Sequence, residues 1–184
     1  MSHDIVIEML DARAFAPFGE VIELGPKPTM MINRGRCARH HDLAQLDFLD
    51  SGGKAQAGIS LFDGTPYSLP HTLDMVERHP LGSQAFLPMS TDPFLVIVAP
   101  DENGKPGTPL AWLSNGQQGV NYHRNTWHGV LTPIGRQATF AVVDRIGEGV
   151  NLEEYEYEHA WRIIDRDGLV KLPGSSADNR NSAP

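Results

Sequence analysis

The punctuation of this chain constrains its fold more than any single residue does. From about residue 20 onward, short apolar and β-branched runs alternate with Gly, Pro, Asn and Asp. The runs Glu20–Leu24, Ala57–Phe62, Gln84–Pro88, Phe94–Ala99, Leu110–Leu113, Gly119–Tyr122, Trp127–Leu131 and Gln137–Ile146 have the length and composition of strands. Turn signals separate them, among them Asp63-Gly64, Asn103-Gly104, Pro106-Gly107, Asn115-Gly116 and Ile134-Gly135. Ile5–Leu10 reads as an opening strand, followed by Asp11 as N-cap of a short helix over Ala12–Ala16 that Pro17 and Gly19 stop. Apolar residues at helical spacing occur only weakly, near Asp42–Leu49 and toward the C-terminal side, and no repeat of fixed period is visible. The pattern predicts an all-β sandwich or barrel with a few short helices.

Length and charge narrow the class. A chain of 184 residues fits one domain with a real core. We place that domain at residues 1–166 and expect 167–184 to be a loosely ordered tail, since Gly174–Pro184 is small and polar. A formal charge of -8 argues against a nucleic-acid partner or an anionic membrane surface, both of which need clustered positive charge. The N-terminus lacks a basic segment followed by a long apolar one, and Phe94–Pro100 is far too short to cross a bilayer. These features predict a cytoplasmic protein acting on a small molecule. The one cysteine, Cys37, excludes an internal disulfide and a Cys-rich zinc site, and reads as a buried or semi-buried bystander.

Reactive side chains concentrate in two segments. In Glu77-Arg78-His79-Pro80-Leu81-Gly82-Ser83-Gln84, strand alternation puts Glu77 and His79 on one face and Arg78 on the other, before a turn at Pro80–Ser83. In Asn121-Tyr122-His123-Arg124-Asn125-Thr126-Trp127-His128, two histidines flank a turn at Asn125-Thr126. Cupin barrels use a His-x-His pattern, a later Glu, and a distant Pro-x-Gly-x-x-His. Here Glu77, His79 and Gln84 occupy the first three ligand positions and His128 the last, so the spacing is cupin-like and the ligand set degenerate.

The wider match is more specific. Glu77–Met89 and Asn115–His128 resemble the two signature blocks of the ureidoglycolate lyases, and Phe15–Ile22, Ile32-Asn33, Arg39–Ala44 and Asp144-Arg145 are similar to that family too. The resemblance runs from about Phe15 to Arg145. It implies a cupin-like double-stranded β-barrel, or jelly roll, and a homodimer. It also implies cleavage of (S)-ureidoglycolate to glyoxylate and urea in allantoin (purine) breakdown, with nickel as the implied cofactor.

That elimination needs a base for the hydroxyl proton, an acid for the departing urea nitrogen and a cation for the carboxylate. Imidazole near its pKa serves as base or acid, so His79, His123 and Glu77 are the catalytic candidates. Arg78 or Arg124 would clamp the carboxylate through paired hydrogen bonds, with Arg78 disfavoured by alternation. Asn121, Gln84 and Tyr122 would read the rest of the substrate. His79, His128, Glu77 and Gln84 are the candidate metal ligands, through which a metal would lower the pKa of the hydroxyl.

Blander readings stand beside these. Glu77 pairs with an Arg of the wall as readily as it does chemistry, and Trp127 is expected in the core. His71 and His159 are expected to be structural, and His3 to lie in a mobile terminus. Asn33, Arg39, His40, His41 and Asp42 form a second polar group at a pocket mouth or a dimer contact. Glu153–Glu158 reads as a solvated edge or connection. The rival functions are a hydrolase releasing ammonia from the same substrate, a non-catalytic cupin binding a small acid, and an iron-dependent redox cupin.

Overall fold

Alternation along one strand shows how the molecule is layered. In a computed structural model that describes residues 3–171, every residue of Phe94–Ala99 is buried, yet they divide by parity between two cores. Leu95, Ile97 and Ala99 join one core, and Phe94, Val96 and Val98 the other. A strand buried on both faces reads as a continuous apolar run, which is what this segment is.

In chain order the first elements are β1 (Asp4–Val6), β2 (Glu8–Met9), α1 (Ala12–Phe15), β3 (Gly19–Ile22), β4 (Met30–Ile32) and β5 (Cys37–Arg39). They are followed by β6 (Gln56–Gly64), β7 (His71–Arg78), β8 (Gln84–Pro88), β9 (Phe94–Ala99), β10 (Asp101–Glu102) and β11 (Lys105–Pro106). The last are β12 (Leu110–Leu113), β13 (Gly119–Tyr122), β14 (Trp127–His128), β15 (Thr132–Pro133), β16 (Ala138–Ile146) and β17 (Glu153–Ile164). An eight-stranded sheet runs β1-β17-β7-β14-β9-β12-β2, with β15 also on β9, and a five-stranded sheet runs β3-β13-β8-β16-β6. Only Ile7 separates β1 from β2, yet these two strands end opposite sides of the larger sheet. That sheet therefore curls until its edges nearly meet, giving the all-β, barrel-like architecture expected.

One core lies inside the curl, around Ile7, Leu73, Val76, Ile97, Trp127 and Ile163. The other lies between the two sheets, around Phe15, Phe86, Phe94, Trp112, Phe140 and Val142. Each of the fully buried side chains there contributes about 1.5–3 kcal/mol by leaving water. Asp11 caps α1 as expected, accepting from the backbone N–H groups of Arg13 and Ala14. Gly19 is required where β3 crosses β13, because a Cβ there would stand 2.0 Å from the Asn121 carbonyl oxygen.

Several expectations are corrected. Asp42–Leu49 is not helical; it is irregular apart from a bridge at Phe48, because the 81–83 turn supplies its backbone partners, through Leu49 N–H to Leu81 O and Ser83 N–H to Asp47 O. His71–Arg78 and Glu153–Ile164 are long strands whose polar residues hide the period. The glutamates of β17 are exposed, and β1 pairs only with its far end, Arg162–Ile164, so the acidic run does form a solvated edge. Cys37 is exposed, because the β4–β5 hairpin is a two-stranded sheet of its own. His3 is held, its ring 5.1 Å from that of Trp161 and its carbonyl accepting from Arg162 N–H. Of the expected tail, Leu169 and Val170 dock on the inner core with their N–H groups on the Asp165 carboxylate, and residues 172–184 lie outside the described residues.

Candidate functional site

The geometry begins with one cross-strand pair. His128 of β14 lies directly opposite Glu77 of β7, and both point toward the five-stranded sheet. Their neighbours Trp127 and Arg78 point the other way, into the curl. His79 follows at the end of β7 and returns to the Glu77 face, as its strand position predicts. The Glu77 Oε1 stands 3.6 Å from His128 Nε2 and 3.9 Å from His79 Nε2. The two imidazole rings are 5.3 Å apart. The candidate ligand atoms of Glu77, His79 and His128 all lie within 4.8 Å of one another.

Both rings are turned the same way by backbone carbonyls. His79 Nδ1 donates to Asn151 O at 2.7 Å, and His128 Nδ1 donates to Thr126 O at 2.9 Å. A carbonyl only accepts, so each Nδ1 carries the proton and each Nε2 presents a lone pair. Those two Nε2 atoms are buried without a hydrogen-bond partner, as is Oε1 of Gln84, which begins β8 across the gap. Buried acceptors left unpaired are costly unless something meets them. Two imidazole nitrogens, a carboxylate and an amide oxygen suit a divalent transition metal, with the ring orientation that outer hydrogen bonds give metal-binding histidines. The residues present fit such an ion.

Electrostatics agree with that set. The facing His128 imidazole holds the Glu77 carboxyl below its ordinary range, against the opposing effect of burial, and His79 adds to the lowering. Burial pushes His79 below its usual value, and the neighbouring His128 pushes the same way. Tyr122 of β13 stacks on His128 with ring centres 4.3 Å apart and planes 19° apart, and burial pushes its phenol well above its normal pKa. It is therefore a neutral wall of the site at physiological pH.

The other expected residues lie elsewhere. Arg78 stacks over Trp127, 4.2 Å from the ring centre, and is ion-paired to Asp101 at 3.1 Å and Glu153 at 2.6 Å. Asn121 alternates with the inward Val120 and Tyr122, so it faces the outer side of the five-stranded sheet. There its Nδ2 donates to Glu20 Oε2 and Gln45 O. His123 follows β13 at the rim, 44 % exposed, with Nε2 3.3 Å from Glu20 Oε1. Arg124 donates to Asp47 Oδ2 at 2.9 Å and to Pro80 O. Of the second polar group, Arg39 donates to His41 Nδ1 at 2.9 Å on the exposed hairpin, and Asp42 accepts from Gln45. Trp127 is in the core as expected.

Sequence reasoning missed Asn151, Thr126 and Glu20 as partners of the histidines. Glu20 stood inside a recognised block, but its pairing with His123 crosses most of the chain. Asn151 carries no motif at all.

Comparison with known proteins adds to this geometry. The family model described as ureidoglycolate lyase matches residues 2–164. A ureidoglycolate lyase from Rhodobacter capsulatus is 59% identical over 151 residues, covering 82% of this chain and 92% of that protein. One from Chelativorans sp. is 54% identical over 159 residues, covering 86% and 95%. Ureidoglycolate lyase 2 of Rhizobium meliloti is 50% identical over 157 residues, covering 85% and 95%.

Proposed function

The chain belongs to the ureidoglycolate lyase family, and on that premise we propose how its own residues divide the work. The enzyme is a carbon–nitrogen lyase that cleaves ureidoglycolate to glyoxylate and urea. The observation that carries the assignment of the site is the convergence of two Nε2 lone pairs and the Glu77 carboxylate on one buried gap.

The substrate carbon bears a hydroxyl, a carboxylate and a ureido nitrogen. Loss of the hydroxyl proton lets the oxygen's electron pair form the carbonyl of glyoxylate while the carbon–nitrogen bond breaks. The urea nitrogen takes up a proton, and no water is consumed. Glu77, ionised at neutral pH, accepts the hydroxyl proton through a carboxylate oxygen. The protonated Glu77 then returns that proton to the urea nitrogen, since His123 pairs with Glu20 on the outer side of the five-stranded sheet. Arg124 at the rim is the carboxylate clamp in place of Arg78, whose guanidinium is committed to two acids. Gln84 and the Tyr122 wall shape the gap. His79, His128, Glu77 and Gln84 would hold a divalent ion, nickel by family resemblance, which would acidify the hydroxyl and offset the carboxylate charge.

We further propose a cytoplasmic homodimer. No helix among the described residues is long and apolar enough to cross a membrane. Exposed Ile59, Leu61 and Met89 on the smaller sheet and its margin give a second copy an apolar surface to cover.

The test is a coupled glyoxylate assay on metal-stripped and nickel-restored protein, with urea and ammonia measured together. One urea per glyoxylate, and no ammonia, is expected. Ammonia in place of urea would make the enzyme a hydrolase.

A further inference from the structure

The two imidazoles of the site are held in different ways. His128 lies within a ladder strand, and the carbonyl that fixes its Nδ1 belongs to Thr126, two residues away on the same turn. His79 lies just past the end of β7, where its carbonyl accepts from Asn125 N–H and its ring has no ladder neighbour to fix it. Its Nδ1 donates to the carbonyl oxygen of Asn151, in the connection between β16 and β17. The side chain of the same residue reaches back, and Asn151 Oδ1 accepts from Leu81 N–H at 2.8 Å. One distant residue thus grips both the His79 ring and the backbone that follows it.

The connection bearing Asn151 is itself anchored. Arg145, buried, donates to Glu148 O at 2.7 Å and to Leu49 O at 2.8 Å. Gly149 takes φ +95° where a Cβ would meet Ser51 and Leu81, which brings the loop down onto the 79–83 turn.

We propose that Asn151 is the positioning residue of the site: its carbonyl oxygen holds the His79 ring by Nδ1, with the Nε2 lone pair aimed at Glu77 and His128, and its side chain, through Leu81 N–H, holds that carbonyl in place. Asn151 acts through His79 and touches no reacting atom. This rests on the reading of Glu77, His79 and His128 as the reaction centre. Outer hydrogen bonds of this kind typically change metal affinity or activity by roughly 10–100-fold when removed.

The experiment compares native protein with Asn151→Ala, Asn151→Asp and His128→Ala as full-length chains. Nickel binding is followed by calorimetry, and the His79 tautomer by the ring-nitrogen chemical shifts of the metal-free protein. Asn151→Ala keeps the carbonyl but frees it from Leu81, and is expected to bind Ni2+ roughly 10-fold more weakly, the lower end for an outer hydrogen bond, and to show a mixed His79 tautomer. Asn151→Asp keeps the acceptor for Leu81 N–H and should recover most of the affinity. If Asn151→Ala does not fold, Asn151→Ser, whose shorter hydroxyl cannot span to Leu81, answers the same question. Native nickel affinity and an unchanged tautomer in Asn151→Ala or Asn151→Ser would overturn the proposal. Native binding and turnover in His128→Ala would instead overturn the reading of the site itself.

Discussion

Glu77 and His128 face each other across adjacent strands, Oε1 3.6 Å from Nε2, with no residue between them in the ladder. The imidazole there favours the ionised carboxylate, and His79 adds a second imidazole within reach. The site is thus a product of strand register, and its consequences can be measured.

Glu77→Gln keeps the shape of the side chain and removes its charge and basicity. We expect kcat/KM for glyoxylate release to fall about 10²–10⁴-fold, the usual contribution of a positioned base, with the fold intact by circular dichroism. Activity within a few-fold of native would remove Glu77 from the chemistry.

Acid should destabilise the metal-free protein in two stages. His79 is held below its ordinary 6.5, so the unfolded chain binds its proton first; stability from this residue is complete above 6.5 and is lost as pH falls below it. Glu77 is held below its ordinary 4.5, so its contribution is present above 4.5 and is lost as pH falls through the lower folded value. Urea melts between about pH 5 and 8, the range that holds the His79 window, should show a slope below 6.5 that His79→Leu flattens. An equal slope in that variant would contradict the assignment.

The two arginines should separate cleanly. Arg78→Ala breaks two ion pairs and a ring contact on the far face of β7, so its melting temperature should drop while kcat/KM stays within about threefold. Arg124→Ala should raise KM at least about tenfold, as expected for a lost charged hydrogen bond to a carboxylate. Equal kinetic effects of the two variants would mean that the clamp is misassigned.

Tyr122 works through its ring. Tyr122→Phe keeps the stack on His128 and should retain kcat/KM within several-fold, whereas Tyr122→Ala empties a buried volume and should cost about 3–5 kcal/mol in denaturant unfolding. A large kinetic loss in Tyr122→Phe with unchanged stability would instead give the hydroxyl a chemical part.

The sequence alone supplied the class of fold, the α1 cap, the apolar run of β9 and a set of candidate ligands to look for. Those are local matters: an unbroken apolar run at Phe94–Ala99, a capping Asp11, and the alternation that turns Arg78 away from Glu77 and His79. Local pattern failed at Asp42–Leu49, where apolar spacing suggested a helix and the 81–83 turn claimed the backbone hydrogen bonds instead. It also missed the length of β7 and β17, of which only the Glu77–His79 end and the acidic start were legible, because charged residues mask a strand period that pairing between them enforces. Only tertiary structure decided which of the clustered residues share a space. His123 and His128 sit close together in the chain, yet one turn puts the first at an exposed rim beside Glu20 and the second in a buried gap against Glu77. Asn151 reaches His79 from 72 residues away. Such contacts follow from sheet register and loop closure, which bring distant segments together through the whole set of strand pairings and leave no mark on either segment by itself.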